Sequence, residues 1–525
     1  MPRIPYTAPK KQPPTSFLSD NTTTVIQKTT ANERAVSPTV TQTNVNVIPS
    51  KHKFSFNRPQ WMTNKFLLIA VISASVIILL VIIIPIAVTF SRKGVSTTVT
   101  STASTVISAY WSFDGNANDL YGNYSGSLVG SASYGSVGNT FFGTGQMFTM
   151  SSSNSYMQVP ASLYFNLNSI SFTFEAYIYL NSISGDQPIF GQCTSTTSTN
   201  QCLFLIVRSS KLYMGFNYND LLGTTTLSAS TWYHVAFVYN YQTFQQIIYI
   251  DGIQDAVRSS TTPYLGNNGS ITIGYSLLIT SQTYFYGYID NVALTTRAKS
   301  ATELLNDATQ IWYFSFDQPS VYYDQGPNRL NSSNVVSLTS VSGKVNQGIR
   351  ITTTSSYFQT LGYPYTGYPT NKPLTFAMWI NPTSINSGIL LHISSTQYGY
   401  SNQQELLGLT LSGQIVAQIY SYTPLNGYPA VIGPFISLNV WTHIAYTLST
   451  TNGLTLYVNG VSQGSTGTIT SYYLANTVMY ITLGYSFGYQ NNYIFYSTGF
   501  QGSFDEFYGY RRELSAAEIY SLANP

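Results

Sequence analysis

The chain has 525 residues, of which 43% are hydrophobic, only 8% are charged, and 44 are tyrosine. The charged share is about a third of the usual quarter, and much Tyr, Thr, Val and Ile with little Lys or Glu favours sheet over helix. Of 22 basic and 19 acidic residues, nine and two fall in residues 1–65, leaving 13 and 17 beyond. The basic character belongs to the N-terminal arm alone, where the charges are spread out and no folded module accompanies them, so no nucleic-acid partner is expected.

Residues 1–65 are rich in Pro, Thr, Asn and Gln. They carry too little apolar surface to repay the entropy of ordering, so they are expected to form a disordered cytoplasmic tail. Next comes "FLLIAVISASVIILLVIIIPIAVTF", residues 66–90, without one charge. At about 1.5 Å per residue this run is long enough to cross a hydrocarbon core of about 30 Å as a transmembrane helix. Lys51, Lys53, Arg58 and Lys65 precede it, and Arg92 and Lys93 follow. That bias predicts an inside N-terminus and a single-pass, signal-anchored plasma-membrane protein with everything after 90 outside. Residues 91–107 are Ser/Thr-rich, as in an O-glycosylated stalk.

Two other features fit an oxidising, glycosylating compartment. The only cysteines, Cys193 and Cys202, flank a short polar loop, "CTSTTSTNQC", and are expected to staple a hairpin. Sequons stand at Asn123, Asn268 and Asn331. A fourth, at Asn21, lies on the expected inside and should stay bare.

The remainder is one unit written twice. "YWSFDGNANDLYGN" from 110 matches "YFSFDQPSVYYDQGPN" from 313. "SFTFEAYIYL" matches "PLTFAMWINP", and "TWYHVAFVY…IIYIDGIQ" matches "VWTHIAYTL…LTLYVNGVSQ". "ITIGYS" matches "ITLGYS", and "FYGYIDNVALTTRAKSATELL" matches "FQGSFDEFYGYRRELSAAEIY". The order never changes. Asp-Gly and Asn-Gly between apolar runs predict tight hairpins. Ser300 with Glu303, and Ser515 with Glu518, predict capping boxes on one short helix per copy. Each copy reads as an all-β antiparallel jelly-roll sandwich, residues 108–308 and 309–525.

Only four histidines occur, and two recur as Trp232-x-His234 and Trp441-x-His443. No acid or nucleophile recurs beside them, so the expectation is structural: the Trp fills the sandwich and the His hydrogen-bonds within it.

These landmarks resemble the laminin G-like, concanavalin A-like lectin jelly-roll family. The marks are the opening "WSFD" with its turn, "W-x-H-V/I-A", "Y-I/V-D/N-G", and the closing "G-x-I/F-D…R-x-x-S-A-x-E". The resemblance implies two tandem concanavalin A-like sandwiches. It also implies calcium near the opening turn and closing strand, at Asp114, Asp119 and Asp290 in the first copy and Asp317, Asp324 and Asp505 in the second. It further implies a rim that binds a glycan or an extracellular protein ligand. Rim loops at 151–156, 193–202, 361–371 and 396–404 are candidates, with Tyr363, Tyr365 and Tyr368 placed to stack on sugar rings. The leading expectation is a cell-surface recognition or adhesion protein. One alternative is a surface-coat component without a small ligand. The other is a membrane-tethered glycosidase built on Glu175. No enzyme is expected, because Glu175 and Glu405 each stand without a second acid in their strand, and Ala377 replaces Glu175 in the second copy.

Overall fold

A computed structural model describes residues 108–525, apart from 136–145, 152, 164, 279–283, 363–370, 386–387, 424–426, 473–477, 489–493 and 495–497. The tail, the apolar run 66–90, the stalk and Tyr363, Tyr365 and Tyr368 lie outside the described residues. Among the described residues no helix is long and apolar enough to cross a membrane.

The first copy is two packed antiparallel sheets. One has eight strands, with Phe172–Leu180 at its centre between Trp232–Asn240 and Gly287–Thr295; the opening strand Ser108–Trp111 pairs with the last of these. The other has seven, with Gln187–Cys193 between Cys202–Arg208 and Ile271–Ile273, and Ser155–Val159 next to the last. The second copy repeats both sheets strand for strand. Its eight-stranded sheet centres on Leu374–Pro382, and its seven-stranded sheet includes Tyr357–Leu361, Tyr480–Leu483, Gly388–Ser394 and Gln404–Leu409. Alternation along each strand sends one set of side chains between the sheets. In Trp232–Asn240 the inward set is Val235, Phe237 and Tyr239, all buried in the first core.

That register corrects one expectation. Trp232 and Trp441 are half-buried, on the outer face of the eight-stranded sheet rather than inside the sandwich. Among the described residues the fully buried tryptophans are Trp111 and Trp312, from the opening strands. His234 and His443 are buried, and their backbones tie into the neighbouring hairpin turns. His234 N donates to Asp251 Oδ1, and His443 N donates to Asn459 Oδ1. Burial lowers both imidazoles, His443 to about 3, so they are neutral at physiological pH. Neither ring bonds as expected, since both nitrogens of His443 and Nδ1 of His234 lack a partner.

The hairpins follow the local chemistry. Asp251-Gly252 and Asn459-Gly460 all take positive φ, as a two-residue type I′ turn requires. Helices α1 (Ala301–Thr309) and α2 (Ala516–Leu522) start at Ser300 and Ser515, each with a complete capping box to Glu303 or Glu518.

Cys193 and Cys202 form a disulfide directly across neighbouring strands, packed on Phe204 and Ile206. Replacing both by serine should lower unfolding free energy by about 2–3 kcal/mol, the usual range for a bridge closing a short loop. Chemical denaturation of the variant, against wild type with and without reductant, measures it.

No linker separates the copies. Helix α1 ends at Thr309, and Gln310–Phe314 is already a strand of the second copy, paired with Gly502–Tyr510. Two arginines of the second copy hold the α1 end. Arg511 Nε donates to Ala308 O at 2.6 Å, and Arg512 Nε donates to Thr309 Oγ1 at 3.0 Å. Cations at a helix C-terminus satisfy its last carbonyls and meet its negative dipole end.

Candidate functional site

The six aspartates implied as calcium ligands divide by role. Asp119 accepts backbone N–H groups from Tyr110, Tyr121, Asn123 and Tyr124. Asp324 does the same for Tyr313, Gly326 and Leu330. Asp505 accepts from Lys344, Val345 and Glu506, and Asp317 from Gln347 N and Asn346 Nδ2. Carboxylates saturated by amides build turns and have few oxygens left for a cation. Asp114 and Asp290 carry one amide donor each, from Gln146 and Asn291, and come closest to a cation-binding pair. Burial raises Asp290 well above the carboxylate range, with Asp114 adding to it. Among the described residues no three His, Cys, Asp or Glu side chains converge as a metal site needs. The donor set does not fit calcium well. Asn123, Asn268 and Asn331 are all exposed, as glycan acceptors must be.

A different constellation recurs in both copies, on the outer face of the seven-stranded sheet. Ser155–Val159 reads SYMQV and Tyr357–Leu361 follows Ser356 as SYFQT. Met157 and Phe358 point into the cores, so Tyr156 with Gln158, and Tyr357 with Gln359, point outward. The next strand adds Thr272 or Thr482, in register with Gln158 or Gln359. The GYS turn after it adds Tyr275 or Tyr485. In the first copy Tyr156 and Tyr275 lie 5.1 Å apart, and Tyr284 stacks on Tyr275 at 5.3 Å. In the second, Tyr357 and Tyr485 are parallel at 6.1 Å, with Phe487 edge-on to both.

The copies differ in what lies beside this row. At the position of His392 the first copy has Gly191, and at that of Glu405 it has Phe204. The missing side chain leaves a cleft of about 230 Å³ between Tyr156, Gln158, Thr272, Tyr275 and Leu277, with Cys193 at its edge. A Cβ on Gly191 would come within 2.9 Å of Thr272 Oγ1 and of Tyr275 O, so glycine keeps the cleft open. In the second copy the row is closed. Gln359 Nε2 donates to Gln397 O and to Thr482 Oγ1, and His392 lies buried under the Gly399 turn with its pKa lowered to about 4. Tyr398 and Tyr400 of that covering loop are exposed.

Three of the expected rim loops meet this face: Tyr156 ends the first, Cys193 opens the second, and Gln397 belongs to the fourth. Their polar partners Gln158, Thr272, Gln359 and Thr482 were not anticipated, although the repeated S-Y-x-Q was a readable signal. Glu175 is the one acid of its strand, but it has partners from outside it. Lys299 Nζ bonds both its carboxylate and Asp307, and His234 Nε2 lies 3.6 Å from its Oε1.

No curated protein matches the sequence. Among solved structures, domain 4 of the arabinanase AbnA of Geobacillus stearothermophilus, in complex with arabinotriose, is 16% identical; the match covers 41% of this chain and 98% of that one, at a TM-score of 0.29. Mouse laminin alpha1 domains LG4-5 are 13% identical, covering 70% and 90%, at 0.24. The binding domain of botulinum neurotoxin DC in complex with rat synaptotagmin II is 13% identical, covering 80% and 97%, at 0.31. These distant likenesses do not bear on function. One family model, described as the concanavalin A-like lectin/glucanases superfamily, matches residues 151–305 and again 352–520. Together the two matches take in more than half of the sequence, and they fall on the two sandwiches. The chain belongs to that superfamily, as two laminin G-like copies in tandem.

Proposed function

We propose that the protein is a cell-surface recognition protein that binds glycan chains on the outer face of its seven-stranded sheets, chiefly in the first-copy cleft. The observation that carries this is the repeated Tyr-Gln-Thr-Tyr constellation, open beside Gly191. Tyrosine rings offer apolar faces to sugar C–H groups, and an amide with a hydroxyl reads the sugar's own hydroxyls. The family and its lectin members support a carbohydrate or protein partner. The apolar run 66–90 would anchor the two copies in the plasma membrane with the cleft outside. Catalysis is not part of this reading. Glu175 lies on the opposite sheet from the cleft, and Lys299 ties it to Asp307.

The test is a glycan array probed with the full chain in a detergent lacking a sugar headgroup. Binding is expected, unchanged by EDTA, and reduced at least tenfold by Tyr156→Ala or Tyr275→Ala. A blank array together with self-association of the purified chain would favour the surface-coat reading. Polysaccharide hydrolysis lost on Glu175→Gln would favour the glycosidase.

A further inference from the structure

The residues lining the first-copy cleft all fall in three stretches of sequence, 120–174, 187–207 and 259–289. None of these stretches contains an Asp, Glu, Lys, Arg or His. Asp186 and Arg208, which bound the middle stretch, are paired with each other at 2.6 Å. No lining side chain can therefore offer a ligand a counter-charge.

The walls also differ from those of a hydration site. Tyr156, Tyr275 and the neighbouring Tyr284 have ring centroids 5.1, 5.3 and 6.1 Å apart, and Leu277 at the rim is 59% exposed. Such surfaces give water few partners but suit the C–H face of a sugar.

The polar groups narrow the choice further. Thr272 Oγ1 borders the space left by Gly191, 2.9 Å from where its Cβ would stand. Its one hydrogen goes to Tyr275 O at 2.6 Å or Gly191 O at 3.2 Å, so only lone pairs remain for a ligand. The second copy shows what such an oxygen takes. There Thr482 Oγ1 accepts Gln359 Nε2 at 2.9 Å, and Gln359 Oε1 accepts Asn334 Nδ2 at 2.8 Å. Gln158 is the counterpart of Gln359, and among the described residues no hydrogen bond holds its amide. A sugar hydroxyl donates and accepts at one atom, so it can serve both the threonine oxygen and the glutamine amide. A carboxylate or sulfate group only accepts. On entering it would lose hydration, find no counter-charge and face the Thr272 lone pairs.

We infer that the first-copy cleft selects uncharged glycans and discriminates against sialylated, uronic-acid and sulfated ones. This rests on the proposal that the cleft binds glycans and adds the class it takes.

The test is an array of matched pairs, probed with the full chain in a detergent lacking a sugar headgroup. The pairs are galactose-terminated chains with and without a sialic acid cap, glucan and galactan oligosaccharides with and without sulfate, and galacturonic-acid oligomers as methyl esters or free acids. In every pair that binds, the neutral member is expected to bind about tenfold or more tightly than the charged one, and equally well at low and high salt. Gly191→Ser, which fills the cleft, should abolish binding. Leu277→Lys changes an exposed side chain at the rim and should narrow the gap to about threefold or less, now with salt dependence. An unchanged gap in Leu277→Lys would mean that shape rather than charge decides, and would overturn the inference. So would charged members that bind as tightly as neutral ones and lose binding on Tyr156→Ala, an outcome that leaves the glycan reading standing. A blank array, or binding indifferent to both Tyr156→Ala and Gly191→Ser, would remove the cleft as a site and both readings with it.

Discussion

Asp324→Ala is expected to lower the unfolding free energy of the second sandwich by about 3–5 kcal/mol, because three backbone amides lose one acceptor together. The carboxylate is fully buried and receives Tyr313 N and Gly326 N at 2.7 Å and Leu330 N at 3.2 Å. Alanine cannot replace any of these bonds, and water has little access to the turn. Asp324→Asn should cost less. It keeps one oxygen for two of the amides but turns an N–H₂ group towards the third. Burial raises Asp324 to about 6 although the amides draw it down. Its folded pKa thus lies above the unfolded value near 4, so the folded state binds more protons between the two. The contribution is greatest below about pH 4 and is lost as pH rises to 6. The asparagine variant should show a flatter stability profile across that window. Urea denaturation at pH 4, 5, 6 and 7 gives both numbers. An alanine variant within 1 kcal/mol of wild type would mean that the turn holds without its carboxylate.

Lys299→Met should cost a similar amount, about 3–5 kcal/mol at pH 8, by leaving Glu175 and Asp307 without their shared cation. The lysine side chain is 13% exposed and Glu175 4%. Burial works against the ammonium, but the two carboxylates outweigh it and raise Lys299 to about 12. Without it, burial drives Glu175 further up. A carboxyl whose folded pKa exceeds its unfolded value is penalised as pH rises above that unfolded value, so the deficit should shrink towards pH 5. Adding Glu175→Gln to Lys299→Met should recover part of the loss at pH 8, since the uncompensated charge is then gone. If the single variant is as unstable at pH 5 as at pH 8, the loss is one of packing rather than charge.

What the sequence disclosed followed the range of each interaction. Capping boxes at Ser300 and Ser515, type I′ turns at Asp251-Gly252 and Asn459-Gly460, and the Cys193–Cys202 staple all depend on residues a few positions apart. Each could be read locally. The doubled landmarks then gave the sandwich, because their order constrains the strands. The side of a strand on which Trp232 lies was not legible, since both faces of "WYHVAFVY" are apolar and both are covered, one by the core and one by α1 and the second copy. Glu175 looked solitary within its own strand, yet its lysine comes from 124 residues further on. The tyrosine cleft likewise assembles residues from 156 to 284 that only the sheet register brings together. The six turn and strand aspartates pose the opposite problem. Aspartate at an opening turn looks the same in sequence whether it binds a cation or its own backbone.

The direct passage from α1 into the strand Gln310–Phe314, clamped by Arg511 and Arg512, has a mechanical consequence. With no slack at this junction, the second copy cannot swing freely on the first. Under the proposed glycan reading, a chain long enough to leave the first-copy cleft meets the second copy in one fixed orientation, so a second contact there costs no further loss of rotational freedom. Chain length, as well as sugar chemistry, would then decide how tightly a glycan is held.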